Sequence, residues 1–128
     1  MTTIKKVNTS NSPAAIGPYS QAIVAGEMIY VSGQFGFDPK TGKLVDGGIA
    51  AETKQALENT KAILTAAGSS LASVVKTDVY LADINEFSKM NEVYASFFTE
   101  PYPARATVAV KQLPKDGRVE ISVIAVKQ

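Results

Sequence analysis

The last predicted strand of the chain constrains the fold more than any other segment. Residues 119–126 place Val119, Ile121, Val123 and Ala125 on one face, and that face is wholly apolar. The other face is half apolar. A strand that is apolar on both faces has to be covered on both sides. The fold must therefore bring other elements, or other copies of the chain, against each face.

Hydrophobic periodicity predicts strands, a helix, a strand, a second helix and two final strands. The predicted strands cover residues 20–25, 28–37, 74–81, 104–110 and 118–126. Apolar side chains at spacings of three and four predict helices over residues 49–67 and 84–97. Asp83 followed by Glu86 resembles a capping box at the start of the second helix.

This order predicts an α+β fold in a single domain over residues 1–128, with one mixed β-sheet and two helices packed on one face. No third helix is available for the other face of the sheet, which carries Ile124 and Val126. Burial against other copies of the chain is the simplest way to remove these side chains from water. We therefore expect an oligomer.

Missing residue types restrict the chemistry. The 128 residues include no cysteine and no histidine, so the chain has neither a thiolate nucleophile nor the usual general base. Zinc sites normally use these two residues, so we expect no metal site and no cofactor. The 13 basic and 12 acidic residues are scattered, and no surface for DNA or RNA is predicted.

The sequence also predicts where the protein resides. No apolar run is long enough to span a membrane. Residues 1–6 are not followed by the apolar segment of a signal peptide. We expect a cytosolic protein.

Arg105 is the first candidate for a functional side chain. It lies just inside a predicted strand of small and apolar residues. A guanidinium group can bind a carboxylate through two parallel hydrogen bonds, which lysine cannot do. The alternative is an edge-strand arginine with its head in solvent, and the pattern alone favours that alternative.

Glu120 is the second candidate, because it lies between Val119 and Ile121 in the last strand. A carboxylate at such a position must be paired or must change its pKa, and both outcomes suit proton transfer. The alternative is a structural ion pair with Arg105 or Arg118, and the sequence leaves both interpretations open.

A hairpin between the last two strands would bring these candidates together. If its turn centres near Pro114, Arg105 lies opposite Ile124 and Thr107 lies opposite Ser122. Arg105 and Glu120 would then share one face of the sheet. A shift of one residue in register would separate them.

Three weaker signals lie nearer the N-terminus and in the second helix. Tyr19 could donate its hydroxyl to a ligand, and Gly33 after Ser32 could let a ligand approach the backbone. The alternatives, a turn followed by a packed tyrosine and a bulge in a strand, are favoured when each signal is taken singly. The aromatic residues of the second helix have the spacing of a buried core rather than of a stacking platform.

Several short segments, taken in order, resemble the signatures of the Rid (YjgF) family. They are residues 14–21 (AAIGPYSQ), 32–34 (SGQ), 66–68 (AAG), 93–98 (VYASFF), 103–105 (PAR), 113–116 (LPKD) and 119–121 (VEI). Each segment alone is a weak signal. The ordered set extends over nearly the whole chain and is specific.

The resemblance implies a chorismate-mutase-like α+β fold and a homotrimer with ligand sites in clefts between subunits. It implies that Arg105 binds the carboxylate of the substrate and that Glu120 positions or activates a water molecule. The other residues expected at this cleft are Tyr19, Ser32, Gly33 and Thr107, together with Phe87 and Asn91, which the neighbouring subunit could contribute.

The implied activity is the hydrolysis of reactive imines and enamines to 2-keto acids and ammonia. The substrates would be 2-aminoacrylate and 2-iminobutanoate, which pyridoxal-phosphate enzymes release when they dehydrate serine and threonine. The alternative is a regulatory module that binds keto acids without catalysis, since it could use the same arginine.

Three departures from the family leave the preferred substrate open. Thr107 stands where many members have cysteine, and its hydroxyl can still form hydrogen bonds. The residues Gln34-Phe35-Gly36-Phe37 stand where members often have Gln-Ile-Pro, and the segment before Arg105 is short. The last two changes could alter the volume of the pocket.

Overall fold

One mixed sheet with two helices on one of its faces makes up the computed structural model, which describes residues 2–128. The helices and strands are β1 (Ile4–Val7), β2 (Ala22–Ala25), β3 (Met28–Gln34), α1 (Gly48–Ala66), β4 (Val74–Leu81), α2 (Phe87–Phe97), β5 (Ala104–Ala109) and β6 (Val119–Val126). The six strands lie in the order β1-β2-β3-β6-β4-β5. The predicted α+β architecture is confirmed.

Strand β6 lies inside the sheet and pairs antiparallel with both β3 and β4. Its buried face carries Val119, Ile121, Val123 and Ala125. These side chains belong to the core cluster, which also contains the buried side chains of α1 and α2. The alternation of apolar side chains along β6 therefore correctly predicted that this face is buried.

The second face of β6 and its neighbours has no helix over it, and we call it the open face. Tyr30 is 47% exposed and Val108 is 49% exposed on this face, while Ile124 and Val126 are half-buried. None of the helices among residues 2–128 has the length and apolar character needed to cross a bilayer. The open face is thus a partly apolar surface of the single chain.

The pairing of β5 differs from the prediction. β5 pairs in parallel with β4, and β4 separates it from β6, so the expected hairpin across Pro114 does not form. Arg105 lies beside Thr77 rather than Ile124, and Ser122 lies beside Asp78 rather than Thr107. Parallel neighbours require a crossover, and α2 provides it between β4 and β5.

Smaller differences concern the ends of elements. β1 was not predicted, because Val7 is its only buried residue and the strand therefore shows no alternation. Before α2, Ile84 lies half exposed in a 3-10 turn rather than in the helix. The Asp83 side chain accepts from the backbone N–H of Asn85, so Asp83 caps this turn rather than forming a capping box with Glu86.

A buried carboxylate links α1 to the start of β6. Glu52 is fully buried, and its Oε1 accepts the backbone N–H of Arg118 at 2.9 Å. Its Oε2 accepts a guanidinium N–H of Arg118 at 2.6 Å. The helix also approaches the chain after β3 at backbone distance, since a Cβ at position 36 would lie 2.6 Å from the Cα of Glu52. α1 is therefore fixed to the residues that lead into β6.

Glu52→Gln should lower the free energy of unfolding by about 1–3 kcal/mol, because the amide has one acceptor oxygen where the carboxylate has two and no charge to pair with Arg118. Urea unfolding of both proteins at one chain concentration measures the difference. Glu58→Gln, an exposed position on the same helix, is the matched control and should be near neutral. Equal stability of Glu52→Gln and wild type would show that the pair contributes nothing.

Candidate active site

The predicted site residues fall into two groups on opposite faces of the sheet. Arg105 shares the helix-covered face with Thr77, its partner on β4. Glu120 points to the open face, since it alternates with the buried Val119 and Ile121. Between their Cα atoms lie two strand spacings of about 4.8 Å and three residues of about 3.3 Å each. One chain therefore does not bring the two candidates together.

Side chains of helix α2 contact the guanidinium group of Arg105. Its Nη1 donates to Oδ1 of Asn91 at 2.7 Å, and its Cζ lies 5.5 Å from the centroid of the Phe87 ring. The resemblance allowed Phe87 and Asn91 to come from a neighbouring subunit. The structure places both residues against Arg105 of the same chain, and we call these three residues with Thr107 the arginine cluster.

Tyr94 is a member of this environment that sequence reasoning missed. It is buried, as predicted for a core residue, but Cζ of Arg105 also lies 4.7 Å from the centroid of its ring. Its hydroxyl is 2.8 Å from Oγ1 of Thr77, and burial raises the pKa of Tyr94. The signal was available in the spacing, since residues three and four apart share one side of a helix with Phe87 and Asn91.

Thr107 lies two residues after Arg105 on the same face of β5. Its side-chain oxygen is buried and has no hydrogen-bond partner within residues 2–128. A buried hydroxyl without a partner costs free energy, so such a group often marks a position where a ligand or another chain supplies the partner.

A second group, the glutamate cluster, consists of Ser32, Gly33 and Glu120. The register between β3 and β6 shifts after Val31, which forms a bulge at residues 32 and 33. A Cβ atom at position 33 would overlap the carboxylate of Glu120, so the absence of a side chain there gives Glu120 its place. The strand bulge is confirmed, and the group that approaches the backbone of Gly33 is the Glu120 side chain. The approach of a ligand to Gly33 stays a prediction.

Tyr19 directly precedes Ser20, which one hydrogen bond links to this cluster. Oγ of Ser32 donates to the carbonyl of Ser20 at 2.6 Å, which fixes the segment containing Tyr19 next to the bulge. The Tyr19 side chain is largely exposed. The structure thus places Tyr19 on the side of Ser32 and Gly33 rather than with Arg105.

An open groove of about 490 Å³ lies along the carboxylate. The residues that line it are Gly33, Tyr80, Val110, Gln112, Leu113, Pro114, Glu120 and Ser122. Tyr80, which sequence analysis did not single out, lies directly opposite Glu120 in the β4–β6 pairing. The groove is large enough for a small organic acid.

Glu120 has no ion-pair partner among the residues that the structure describes, where the salt bridges are Lys76–Asp78 and Arg118–Glu52. Within one chain, Glu120 therefore forms no structural pair with Arg105 or Arg118. Burial raises the pKa of the Glu120 carboxyl. A carboxyl group in this state can hold a proton at a higher pH than usual and can donate it.

The chain contains two arginines, and their surroundings differ. Arg118 is neutralised by Glu52. Arg105 has no acidic partner within residues 2–128 and is held by a neutral amide and two aromatic rings. Its positive charge therefore remains available for an anion. No three acidic side chains in the described part of the chain gather as ligands for a metal ion.

Comparisons with known proteins agree on one family. The family model described as endoribonuclease L-PSP matches residues 9–127. The 2-iminobutanoate/2-iminopropanoate deaminase of Bos taurus is 55% identical over 123 residues, which cover 96% of this chain and 90% of that protein.

Two solved structures have the same fold. RidA from the Antarctic bacterium Psychrobacter has a TM-score of 0.92 and 49% identity, and the match covers 95% of this chain and 98% of that one. TdcF from E. coli with bound serine has a TM-score of 0.91 and 40% identity over 97% of this chain and 99% of that one.

Glu120 should make stability depend on pH. Because its pKa is raised in the folded chain, its contribution is fully present below the unfolded pKa and is lost as pH rises through the folded pKa. Glu120→Gln cannot ionise, so it should be more stable than wild type at neutral pH and equally stable in acid.

Urea midpoints at about pH 4 and about pH 7 test this expectation. Glu27→Gln, at an exposed turn, serves as the control and should show no such difference. A Glu120→Gln protein that is less stable than wild type at neutral pH would contradict the assigned environment.

Proposed function

Since the chain belongs to the Rid (YjgF) family, whose model is described as endoribonuclease L-PSP, we propose that it hydrolyses 2-imino acids to 2-keto acids and ammonia. The names of relatives such as the Bos taurus protein support this activity. The substrates are 2-iminobutanoate and 2-iminopropanoate, the second of which forms from 2-aminoacrylate. The reaction requires no cofactor. We also propose a cytosolic location.

The observation that carries the proposal is the uncompensated guanidinium of Arg105. A 2-imino acid has a carboxylate next to the reacting carbon, and an arginine with free N–H groups can bind it bidentately. Holding the carboxylate also fixes the adjacent C=N group, which lowers the entropic part of the barrier.

Glu120 carries the protons in the proposed mechanism. A protonated imine carbon is electrophilic, and a water oxygen bonds to it as the C=N π electrons move to nitrogen. The carboxylate accepts a proton from that water and returns it to the nitrogen. The carboxylate then takes the remaining hydroxyl proton while the O–H electrons form the carbonyl, the C–N bond breaks, and ammonia leaves.

The regulatory alternative has less support. A keto-acid sensor could use Arg105, but it has no need for a carboxyl group with a raised pKa beside the groove. The family description names ribonuclease activity, yet 13 basic and 12 acidic residues form no basic stripe along the sequence. The deaminase is therefore the function that the site supports best.

Arg105→Lys and Glu120→Gln should have different kinetic effects. Lysine cannot form the bidentate contact, so catalytic efficiency should fall about tenfold to hundredfold, mainly through KM. Glu120→Gln should lower kcat while the affinity for 2-oxobutanoate stays nearly constant. Release of keto acid from freshly generated 2-aminoacrylate and calorimetry with 2-oxobutanoate provide the measurements.

Arg118→Lys applies the same substitution at the other arginine and should leave KM unchanged. Wild-type binding and turnover in Arg105→Lys would rule out the carboxylate contact. Full turnover in Glu120→Gln would assign proton transfer to another group.

The proposal includes a homotrimer in which each site combines the arginine cluster of one chain with the glutamate cluster of its neighbour. Its support is twofold. The two clusters lie on opposite faces of one chain, and the open face exposes Tyr30 and Val108, which a neighbouring copy would cover. Symmetric assembly of three chains would then form three equivalent sites.

Mixing two inactive variants tests the shared site. Chains with Arg105→Met and chains with Glu120→Gln should regain activity when they are unfolded together and refolded as mixed trimers. About a quarter of the sites should be complete, because each draws its arginine and its glutamate from two chains chosen at random.

Each variant refolded alone is the control and should stay inactive. Sedimentation equilibrium at micromolar concentration should give three times the 13.5 kDa of one chain. A monomer mass would contradict the trimer, and mixed trimers without activity would contradict the shared site.

A further inference from the structure

We propose that Asn91 and Tyr94 are positioning residues that present the guanidinium of Arg105 to a carboxylate side-on, through Nε and Nη2. The inference rests on the proposed function, because it takes the substrate carboxylate as the ligand. Beyond the proposed function, it identifies the two nitrogens of the guanidinium that bind the carboxylate and the residues that keep those nitrogens accessible.

The distribution of hydrogen bonds on Arg105 identifies the edge. Nη1 is already bonded to Oδ1 of Asn91 at 2.7 Å. Nε and Nη2 have no hydrogen-bond partner in the part of the chain that the structure describes. A guanidinium group can bind a carboxylate through Nη1 and Nη2 or through Nε and Nη2. Nη1 keeps a second N–H, but only the second pair consists of two nitrogens without any partner, so side-on binding leaves the contact with Asn91 undisturbed.

Contact with two aromatic rings restricts the position of the group. Cζ of Arg105 lies 4.7 Å from the ring centroid of Tyr94 and 5.5 Å from that of Phe87. A guanidinium packed against an aromatic face keeps its N–H groups directed outward, where a ligand can reach them. The side chain of Arg105 is otherwise exposed, so these contacts are what restrict it.

The ring of Tyr94 is itself held on two sides. Its hydroxyl pairs with the fully buried Thr77 at 2.8 Å, and its ring packs on Phe98 at a centroid distance of 4.6 Å. Thr77 lies beside Arg105 on the neighbouring strand. Strand β4, which pairs with the strand of Arg105, therefore also holds the Tyr94 ring that contacts the guanidinium.

The positioning residues should change binding rather than chemistry. Tyr94→Leu removes the aromatic face, so KM and the Kd for 2-oxobutanoate should each rise about tenfold while kcat changes little. Tyr94→Phe keeps the ring and should restore most of the affinity. Asn91→Leu releases Nη1 and should raise Kd by a similar factor. Asn85→Leu, an exposed position before α2, is the matched control.

NMR of the arginine Nε–Hε groups observes the guanidinium directly. The chain has two arginines, so a ¹⁵N spectrum of the whole protein contains two such signals, and Arg118→Lys assigns them. Addition of 2-oxobutanoate should shift the Nε–Hε signal of Arg105 and leave that of Arg118 in place. Without ligand, Tyr94→Leu and Asn91→Leu should each increase the mobility of the Arg105 group alone.

Two outcomes would overturn the inference. Saturation with 2-oxobutanoate that leaves the Arg105 Nε–Hε signal unmoved would mean end-on binding. Unchanged mobility and affinity in both Tyr94→Leu and Asn91→Leu would mean that neither residue positions the group. Asn91 is only half-buried, so Asn91→Leu tests the idea even if Tyr94→Leu fails to fold.

Failure of the proposed function would look different. Wild-type protein that shows no binding of 2-oxobutanoate would refute the carboxylate contact and side-on binding with it. The mobility of Arg105 in the ligand-free variants would still decide whether Asn91 and Tyr94 hold the guanidinium.

Discussion

The parallel pairing of β4 with β5 is the constraint on which the candidate site depends. Parallel neighbours cannot be joined by a tight turn, so the chain must cross over the sheet between them. Helix α2 makes that crossing and comes to lie against Arg105 on β5. The same pairing inserts β4 between β5 and β6, which separates Arg105 from Glu120. The parallel pairing thus assembles the arginine cluster and keeps Glu120 of the same chain away from it.

The sequence was sufficient for both helices and for every strand except β1, and insufficient for the order of the strands. The alternation in β6 and the helical spacing in α1 are local patterns, and both match the observed burial. Strand order is decided by contacts between distant segments. A short connection through Pro114 fits a hairpin, yet it also fits the observed path in which β6 returns between β3 and β4. The alternation within a strand is the same in either arrangement, so it could not choose between them.

The candidate site shows the same division. Arg105 and Glu120 could be singled out because charged residues in apolar strands are unusual, whereas their roles came from the resemblance. Tyr94 was assigned to the core correctly. The helix spacing was enough to place it on one side with Phe87 and Asn91, but the contact of its ring with Arg105 depends on strand pairing, which the spacing does not give. For Gly33, the bulge and the approach to Glu120 are one feature: the extra residue in β3 is what turns the glycine toward the carboxylate.

The position of β5 at the end of the sheet places a second demand on Arg105. The outer backbone groups of β5 face away from the sheet, and the strand reads Ala-Arg-Ala-Thr-Val-Ala. Exposed edges of this kind recruit other strands, and charged side chains are a common protection against such pairing. Arg105 is the only charge in β5. Colloidal stability and chemistry therefore make demands on the same side chain, and a neutral replacement removes the one charge of this edge strand together with the carboxylate contact.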